Sequence, residues 1–159
     1  MSTANPVEII PFSIENKEAI RSLNYEWLEK YFFIEPNDVI QLSDPVGEIL
    51  NKGGHIYYAR YNREIIGTSS LMIVTDEEYE LAKMAVTEKY KGLGAGRLLM
   101  EHCISEAVRL HAKRLTLYSN TKLEPAIHLY RKYGFYEVPP PPDVHYARSN
   151  IKMEKVLDK

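Results

Sequence analysis

The segment with the clearest chemical meaning is the glycine-rich run Lys91-Gly92-Leu93-Gly94-Ala95-Gly96. It follows an alternating, strand-like stretch and precedes a stretch with helical apolar periodicity. Glycines let backbone N–H groups approach an anion closely, and a helix N-terminus carries about half a positive charge. The pattern therefore predicts a phosphate-binding loop, with a flexible turn that binds no ligand as the alternative.

The spacing of the glycines separates this loop from two common nucleotide-binding classes. A Walker A loop requires Lys-Ser or Lys-Thr after the last glycine, whereas Arg97-Leu98 follows here. A dinucleotide-binding loop requires G-x-G-x-x-G inside an early βαβ unit, whereas this loop has G-x-G-x-G after several strands. Neither class fits.

A second block with defined spacing lies downstream: Asn120, then Ala126-Ile127-His128-Leu129-Tyr130, then Tyr133-Gly134-Phe135. Together the two blocks resemble the GNAT superfamily of acyl-CoA-dependent N-acyltransferases, whose signature is a strand, Q/R-x-x-G-x-G/A and a long helix. Residues 80–86 resemble the family's central strand. Lys91 stands where the family usually has Gln or Arg, and it keeps the positive charge. The motifs cover residues 55–138, and the N-terminal third matches only in pattern.

The resemblance implies a mixed α/β fold, in one domain over residues 1–159. An antiparallel meander and a splayed pair of parallel strands would be flanked by helices. It also implies acetyl-CoA as the acyl donor, with no metal. The residues that match the CoA-binding positions are Met84, Ala85, Val86, Lys91, Gly92, Leu93, Gly94, Gly96, Arg97, Asn120, Ala126 and Tyr130. For Asn120, the alternative role is a helix N-cap.

The resemblance further implies catalytic roles for three residues. The N–H of Met84 would stabilise the oxyanion. Tyr130 would act as general acid, because a phenol with a pKa of about 10 can protonate a departing thiolate; packing is its alternative role. Glu80 would accept the proton of the amine, directly or through water, with a solvated charge or a partner for Lys83 as alternatives. Side chains alternate between the two faces of a strand. Unless a bulge intervenes, four residues of the strand 78–86 therefore lie on the same face: Glu80, Ala82, Met84 and Val86.

The expected acceptor is a primary amine of a small molecule or an amino-acid-like compound, attacking directly in a ternary complex. The sequence shows no positioned Cys or Ser nucleophile. A protein N-terminus or lysine as acceptor, and a non-catalytic acyl-CoA-binding module, are the alternatives. Glu35 would favour a cationic amine and Arg148 a carboxylate-bearing one, so the two point in different directions. The full set of candidate wall residues is Tyr31, Phe32, Phe33, Glu35, Tyr146 and Arg148.

Hydrophobic periodicity predicts the elements that position these residues. Strands are expected at 7–11, 55–61, 64–74, 78–86, 114–118, 135–138 and 146–157. Helices are expected at about 14–33, 45–52, 97–111 and 125–133. Residues 35–38, Glu-Pro-Asn-Asp, are typical of a turn. The short loops between the three strands of residues 55–86 predict an antiparallel meander.

Composition narrows the class of protein. A length of 159 residues with 45% hydrophobic and 26% charged content is typical of one globular domain. One cysteine, Cys103, excludes an internal disulfide and a cysteine zinc cluster. A net charge of −2 gives no sign of a nucleic-acid partner. Without a secretory signal or ~20 consecutive apolar residues, we expect a cytoplasmic protein with no membrane partner, and a homodimer is left open. Four histidines lack metal-ligand spacing: His55, His102, His111 and His145.

Overall fold

The computed structural model describes residues 6–142 and 146–157, so the N-terminal residues 1–5 and His145 lie outside the described part. The helices are α1 (Lys17–Tyr31), α2 (Pro36–Ser43), α3 (Ala95–Arg109) and α4 (Glu124–Lys132). The strands are β1 (Glu8–Pro11), β2 (His55–Tyr61), β3 (Glu64–Thr75), β4 (Glu78–Val86), β5 (Arg114–Ser119), β6 (Tyr136–Val138) and β7 (Ile151–Val156). In the described part, no helix is long and apolar enough to span a membrane.

The strands form one mixed sheet in the order β1-β2-β3-β4-β5-β7-β6. The predicted meander β2-β3-β4 is confirmed, with antiparallel pairing throughout. Strands β4 and β5 pair in parallel over three residues each, from Glu78 to Glu80 and from Arg114 to Thr116. Beyond these residues the two strands diverge. The predicted mixed α/β fold with a splayed parallel pair is therefore confirmed.

Each face of the sheet packs against helices. On one face, Leu99, Met100 and Cys103 of α3 contact a core that includes Leu71 and Leu115. The Cys103 thiol is fully buried, and this burial raises its pKa to about 12, so the group packs as an inert apolar side chain. Each large apolar side chain buried in this way contributes about 1.5–3 kcal/mol to stability.

The opposite face carries a second core beneath α1 and α2. Ile20 of α1 and Leu42 of α2 pack there with Ile56 and Tyr58 of β2. This packing fixes the two N-terminal helices over the part of the sheet where β4 passes. As a result, the N-terminal third of the chain forms a wall beside the diverging strands.

Three sequence predictions need correction. Residues 35–38 begin helix α2, because Pro36 occupies the first turn and the Asp38 carboxylate accepts the N–H of Glu35 at 2.9 Å. The predicted second helix is a single π-helical segment, Val46–Leu50. The last strand is confined to β7, since residues 146–150 form a turn that is bound to other elements by side-chain contacts.

Candidate active site

A cavity of about 520 Å³ occupies the gap where β4 and β5 diverge. Its walls come from α1, α2, β4, β5, α4 and the segment 146–149. It brings together six of the predicted site residues: Glu80, Met84, Val86, Asn120, Ala126 and Tyr130. Ala85 instead lies in the core, with 2% of its surface exposed. The predicted loop residues, 91–94, 96 and 97, are not in the described lining; they follow the end of β4 in the chain and lead into the first turn of α3.

Strand β4 contains a bulge at Lys83. Its register with β3 jumps from Ala82, opposite Ser70, to Ala85, opposite Thr68. Lys83 adopts φ +56°, in the left-handed region that non-glycine residues rarely occupy. The bulge takes Met84 out of the paired register with β3, and pairing with β5 has already ended. The main chain near Met84 is therefore placed to pair with an incoming extended group.

The bulge also reverses the alternation of side chains. Glu80 lies opposite Met72, which packs beneath α1 and α2. Met84 and Val86, in contrast, pack against the core under α3. The simple alternation that would put Glu80 and Met84 on one face is thus broken by an intervening bulge. The cavity is therefore lined by a carboxylate from one face of β4 and by apolar side chains from the other.

The glycine loop has the geometry of an anion site. Gly92 and Gly94 have φ of +95° and +81°, and Gly94 is the N-cap of α3. The first helical hydrogen bond runs from the N–H of Leu98 to the carbonyl of Gly94 at 3.0 Å. The N–H groups of residues 95–97 therefore precede the helical ladder and are directed outward from the helix end. Lys91 is largely exposed and lies 3.5 Å from Glu88.

Tyr130 lies on α4 and is half-buried in the cavity wall. Its ring packs edge-on against Phe135, with centroids 6.1 Å apart. Loss of hydration raises the pKa of its phenol to about 12, so the group stays protonated at neutral pH. Among the described residues its hydroxyl has no hydrogen-bond partner, whereas the hydroxyl of Tyr58 donates to the Asn16 carbonyl. Tyr130 thus presents an uncommitted proton donor.

Asn120 has a structural task of its own. Its Nδ2 donates to the Arg148 carbonyl at 2.7 Å, and its Oδ1 accepts the N–H of Lys122 at 2.9 Å. These bonds fix the turn after β5 and attach it to the segment before β7. Leu123 is the N-cap of α4, so the N-cap alternative for Asn120 is wrong.

A buried ionic cluster borders the cavity opposite α4. We call it the Asp38 cluster; it consists of Glu35, Asp38, Lys83, Tyr146 and Arg148. Arg148 binds Asp38 through both terminal nitrogens, at 2.8 and 2.9 Å, and Glu35 at 3.2 Å. Lys83 Nζ donates to the Tyr146 hydroxyl at 2.7 Å and lies 3.4 Å from Asp38. The sequence analysis missed this cluster, since its members come from three distant segments.

The cluster holds its charges out of water. The Asp38 side chain is 1% exposed. Burial alone would raise the pKa of Asp38, but hydrogen bonds from Arg148 and the Glu35 backbone outweigh it and hold that pKa below its ordinary value. Burial lowers the pKa of Lys83, and the charge of Asp38 opposes that change. Lys83, considered above as a partner for Glu80, donates to Asp38 and Tyr146, and the charge of Glu80 also acts to raise its pKa.

The predicted wall residues divide into two groups. Phe32, Tyr146 and Arg148 line the cavity, as does Trp27, whose ring lies 5.5 Å from that of Phe32. The other three predicted wall residues are not in the described lining: Tyr31, Phe33 and Glu35. Trp27 belongs to the apolar stripe of α1, and such periodicity does not distinguish a core position from a cavity wall. Within residues 6–142 and 146–157, no cluster of three or more potential ligands could hold a metal.

Comparison with known proteins places this geometry in a family. Residues 17–135 match the Acetyltransferase (GNAT) family. The chain belongs to this family. A GNAT relationship explains the order of the meander, the glycine loop and the diverging β4–β5 pair, all of which lie within the matched residues.

The GNAT chain is also similar to individual proteins. An uncharacterised N-acetyltransferase of Mycobacterium bovis is 33% identical over 94 residues, which cover 59% of this chain and 56% of the relative. The match thus spans just over half of that relative's length. A GNAT acetyltransferase of Staphylococcus aureus has a TM-score of 0.84 at 23% identity, covering 96% of this chain and 99% of the other. An N-acetyltransferase of Thermoplasma acidophilum in complex with coenzyme A has a TM-score of 0.74 at 19% identity, with 98% and 99% covered. These structures share the fold.

Proposed function

We propose that this GNAT chain transfers the acetyl group of acetyl-CoA to a primary amine of a small molecule, by direct attack in a ternary complex. The observation that carries the proposal is the cavity between the diverging strands. It is bordered by an uncommitted phenol on α4 and by a carboxylate, Glu80, on β4. Direct transfer needs an amine that has lost its proton and a proton for the departing thiolate, which a base and an acid beside the reacting carbonyl can provide.

The donor would lie along the α3–α4 side of the cavity. Its pyrophosphate would accept the N–H groups at the start of α3, where nothing lies within 4 Å of a side chain built at Gly92. Its pantetheine arm would pair with the main chain near Met84 and Val86 on the side that faces β5, where the pairing of β4 ends at Glu80. The thioester oxygen would then accept the N–H of Met84, an interaction of a type worth about 3–4 kcal/mol in the transition state.

The chemical step follows from these positions. The amine nitrogen attacks the thioester carbon, and the carbon–sulfur bond breaks when the tetrahedral intermediate collapses. Glu80 takes the proton of the amine, directly or through water, and Tyr130 gives its proton to the departing thiolate. A phenol with a pKa of about 12 is a proton donor at every physiological pH.

A small acceptor suits the walls of the cavity. The Asp38 cluster attaches the segment 146–149 to α2, and Asn120 attaches it to the end of β5. These contacts fix one wall of the acceptor side, which supports a pocket for a small molecule, whereas a protein acceptor is better served by an open groove. A peptide with a free N-terminal amine and a lysine-containing peptide are the protein-like acceptors to compare with small amines.

The test is thiol release from acetyl-CoA over a panel of small amines and peptides. We expect release that depends on a small amine and saturates with its concentration. Binding of acetyl-CoA without amine-dependent release would instead identify a non-catalytic binding module. If excess acetyl-CoA failed even to raise the melting temperature, the proposal would be wrong, because a ligand of the folded state stabilises it by mass action.

A further inference from the structure

The strongest cation on the acceptor side of the cavity, Arg148, is already saturated. Its two terminal nitrogens bind both oxygens of Asp38, and one of them also binds Glu35. The side chain is 14% exposed, and its guanidinium lies 4.1 Å from the centre of the Tyr146 ring. A second carboxylate could bind Arg148 only by breaking a bidentate, largely dehydrated ion pair.

The other cations near the cavity are committed as well. Lys83 is 5% exposed and is held by Asp38 and the Tyr146 hydroxyl. Lys52 pairs with Glu48 at 3.2 Å and is 59% exposed. The Lys122 ammonium lies over the Phe32 ring, 4.1 Å from its centre, and donates to the Tyr31 carbonyl at 2.9 Å. Each described cation near the acceptor space therefore has a carboxylate or carbonyl partner.

Among the described residues, the lining offers a ligand carboxylate no cation that lacks a partner. The two buried cations of the Asp38 cluster face its two carboxylates, Lys52 pairs with Glu48, and the charge of Glu80 also acts on Lys83. Trp27 supplies aromatic surface, which attracts cations, whereas the ammonium of Lys122 already lies over the Phe32 ring. A ligand carboxylate would therefore lose its hydration without gaining a new ion pair, and this cost selects against that class of ligand.

We infer that the acceptor is a primary amine that carries no free carboxylate beside its amino group, and that Asp38 and Glu35 are the residues that set this preference by occupying Arg148. The inference rests on the proposed function. It selects alkylamines, polyamines and amino amides over free α-amino acids. It also removes the conflict between Glu35 and Arg148 as signals of acceptor charge, because both residues are bound within the Asp38 cluster.

The test compares matched acceptors that differ only at the α-carbon: phenylalanine, phenylalaninamide and phenethylamine, and lysine, lysinamide and cadaverine. We expect kcat/KM at least tenfold higher for the amide and the decarboxylated amine than for the acid. An amide also lowers the pKa of the neighbouring amino group, so the decarboxylated amine decides the matter. Equal or higher kcat/KM for the acids would overturn the inference and leave the proposed function intact. Turnover of no amine at all would instead overturn the proposed function.

Variants of Asp38 and Glu35 test whether these two residues set the preference against a carboxylate. Asp38→Asn leaves Arg148 short of one charge partner, so the preference for phenethylamine over phenylalanine should fall at least fivefold. Glu35→Gln should change it in the same direction and serves if Asp38→Asn does not fold. The matched control is Glu77→Gln, which removes a carboxylate from an exposed pair with Lys113 and should leave the ratio unchanged. An unchanged ratio in both cluster variants would assign the preference to other residues.

Discussion

Removal of the Tyr130 hydroxyl separates a chemical role from a packing role. The hydroxyl has no hydrogen-bond partner in the described part of the chain, and the ring packs against Phe135. Tyr130→Phe keeps that packing, so we expect a change in stability below about 1 kcal/mol, or about 2–4 °C in Tm. If the phenol protonates the thiolate, turnover should fall by about 10²–10⁴, which corresponds to about 3–5 kcal/mol in the barrier.

The assay is amine-dependent thiol release between pH 6 and 10, with melting temperatures measured with and without coenzyme A. The wild-type rate should show no loss of the acid across this range, since the pKa of Tyr130 is about 12. Tyr133→Phe is the matched control: its hydroxyl lies outside the cavity and donates to Glu101. Unchanged turnover of Tyr130→Phe at every pH would refute the assignment, whereas a matching loss in Tyr133→Phe would indicate a general effect of helix α4.

Three further predictions concern the loop and the ionic cluster. Lys91→Ala should weaken coenzyme A binding less than about tenfold, because the loop acts through its main chain and surface charges contribute about 0–1 kcal/mol. Calorimetric titration measures the affinity, and complete loss of binding would contradict the prediction. Gly94→Ala should destabilise the protein by about 1–2 kcal/mol, since φ is +81° at that position, and should weaken coenzyme A binding more than Lys91→Ala does. Equal affinities of the two variants for coenzyme A would argue against an anion site at the helix end. Asp38→Asn should cost about 3–5 kcal/mol in urea unfolding because it leaves buried cations short of a partner. The pKa of Asp38 is held below 3.8, so its stabilising contribution is present at neutral pH and should disappear as the pH falls through about 4 and below, while the variant shows a flatter acid limb.

Local signals account for the elements that the sequence predicts well. Period-2 alternation and short turns determine the meander, and the glycine loop with the apolar stripe of α3 determines the donor side of the site. Helix α2 was missed because Glu-Pro-Asn-Asp has the composition of a turn, while Pro36 and Asp38 here serve as a helix start. The sequence pattern alone does not distinguish a turn from a helix start made of the same residue types.

The acceptor side depends on contacts that the sequence does not encode locally. Lys83 at φ +56° is not a residue type that marks a bulge, so the break in alternation has no signal in the sequence. The pairing of Arg148 with Asp38 joins residues 110 positions apart. Glu35 and Arg148 therefore look like two opposite specificity signals in the sequence, whereas in the fold they bind each other as members of the Asp38 cluster.

A crystal structure of the protein with coenzyme A tests the central claim most directly. We predict the pyrophosphate on the N–H groups at the start of α3, the pantetheine between β4 and β5, and the sulfur within hydrogen-bond distance of the Tyr130 hydroxyl. Coenzyme A bound outside the gap between these strands, or with its sulfur directed away from Tyr130, would contradict the account.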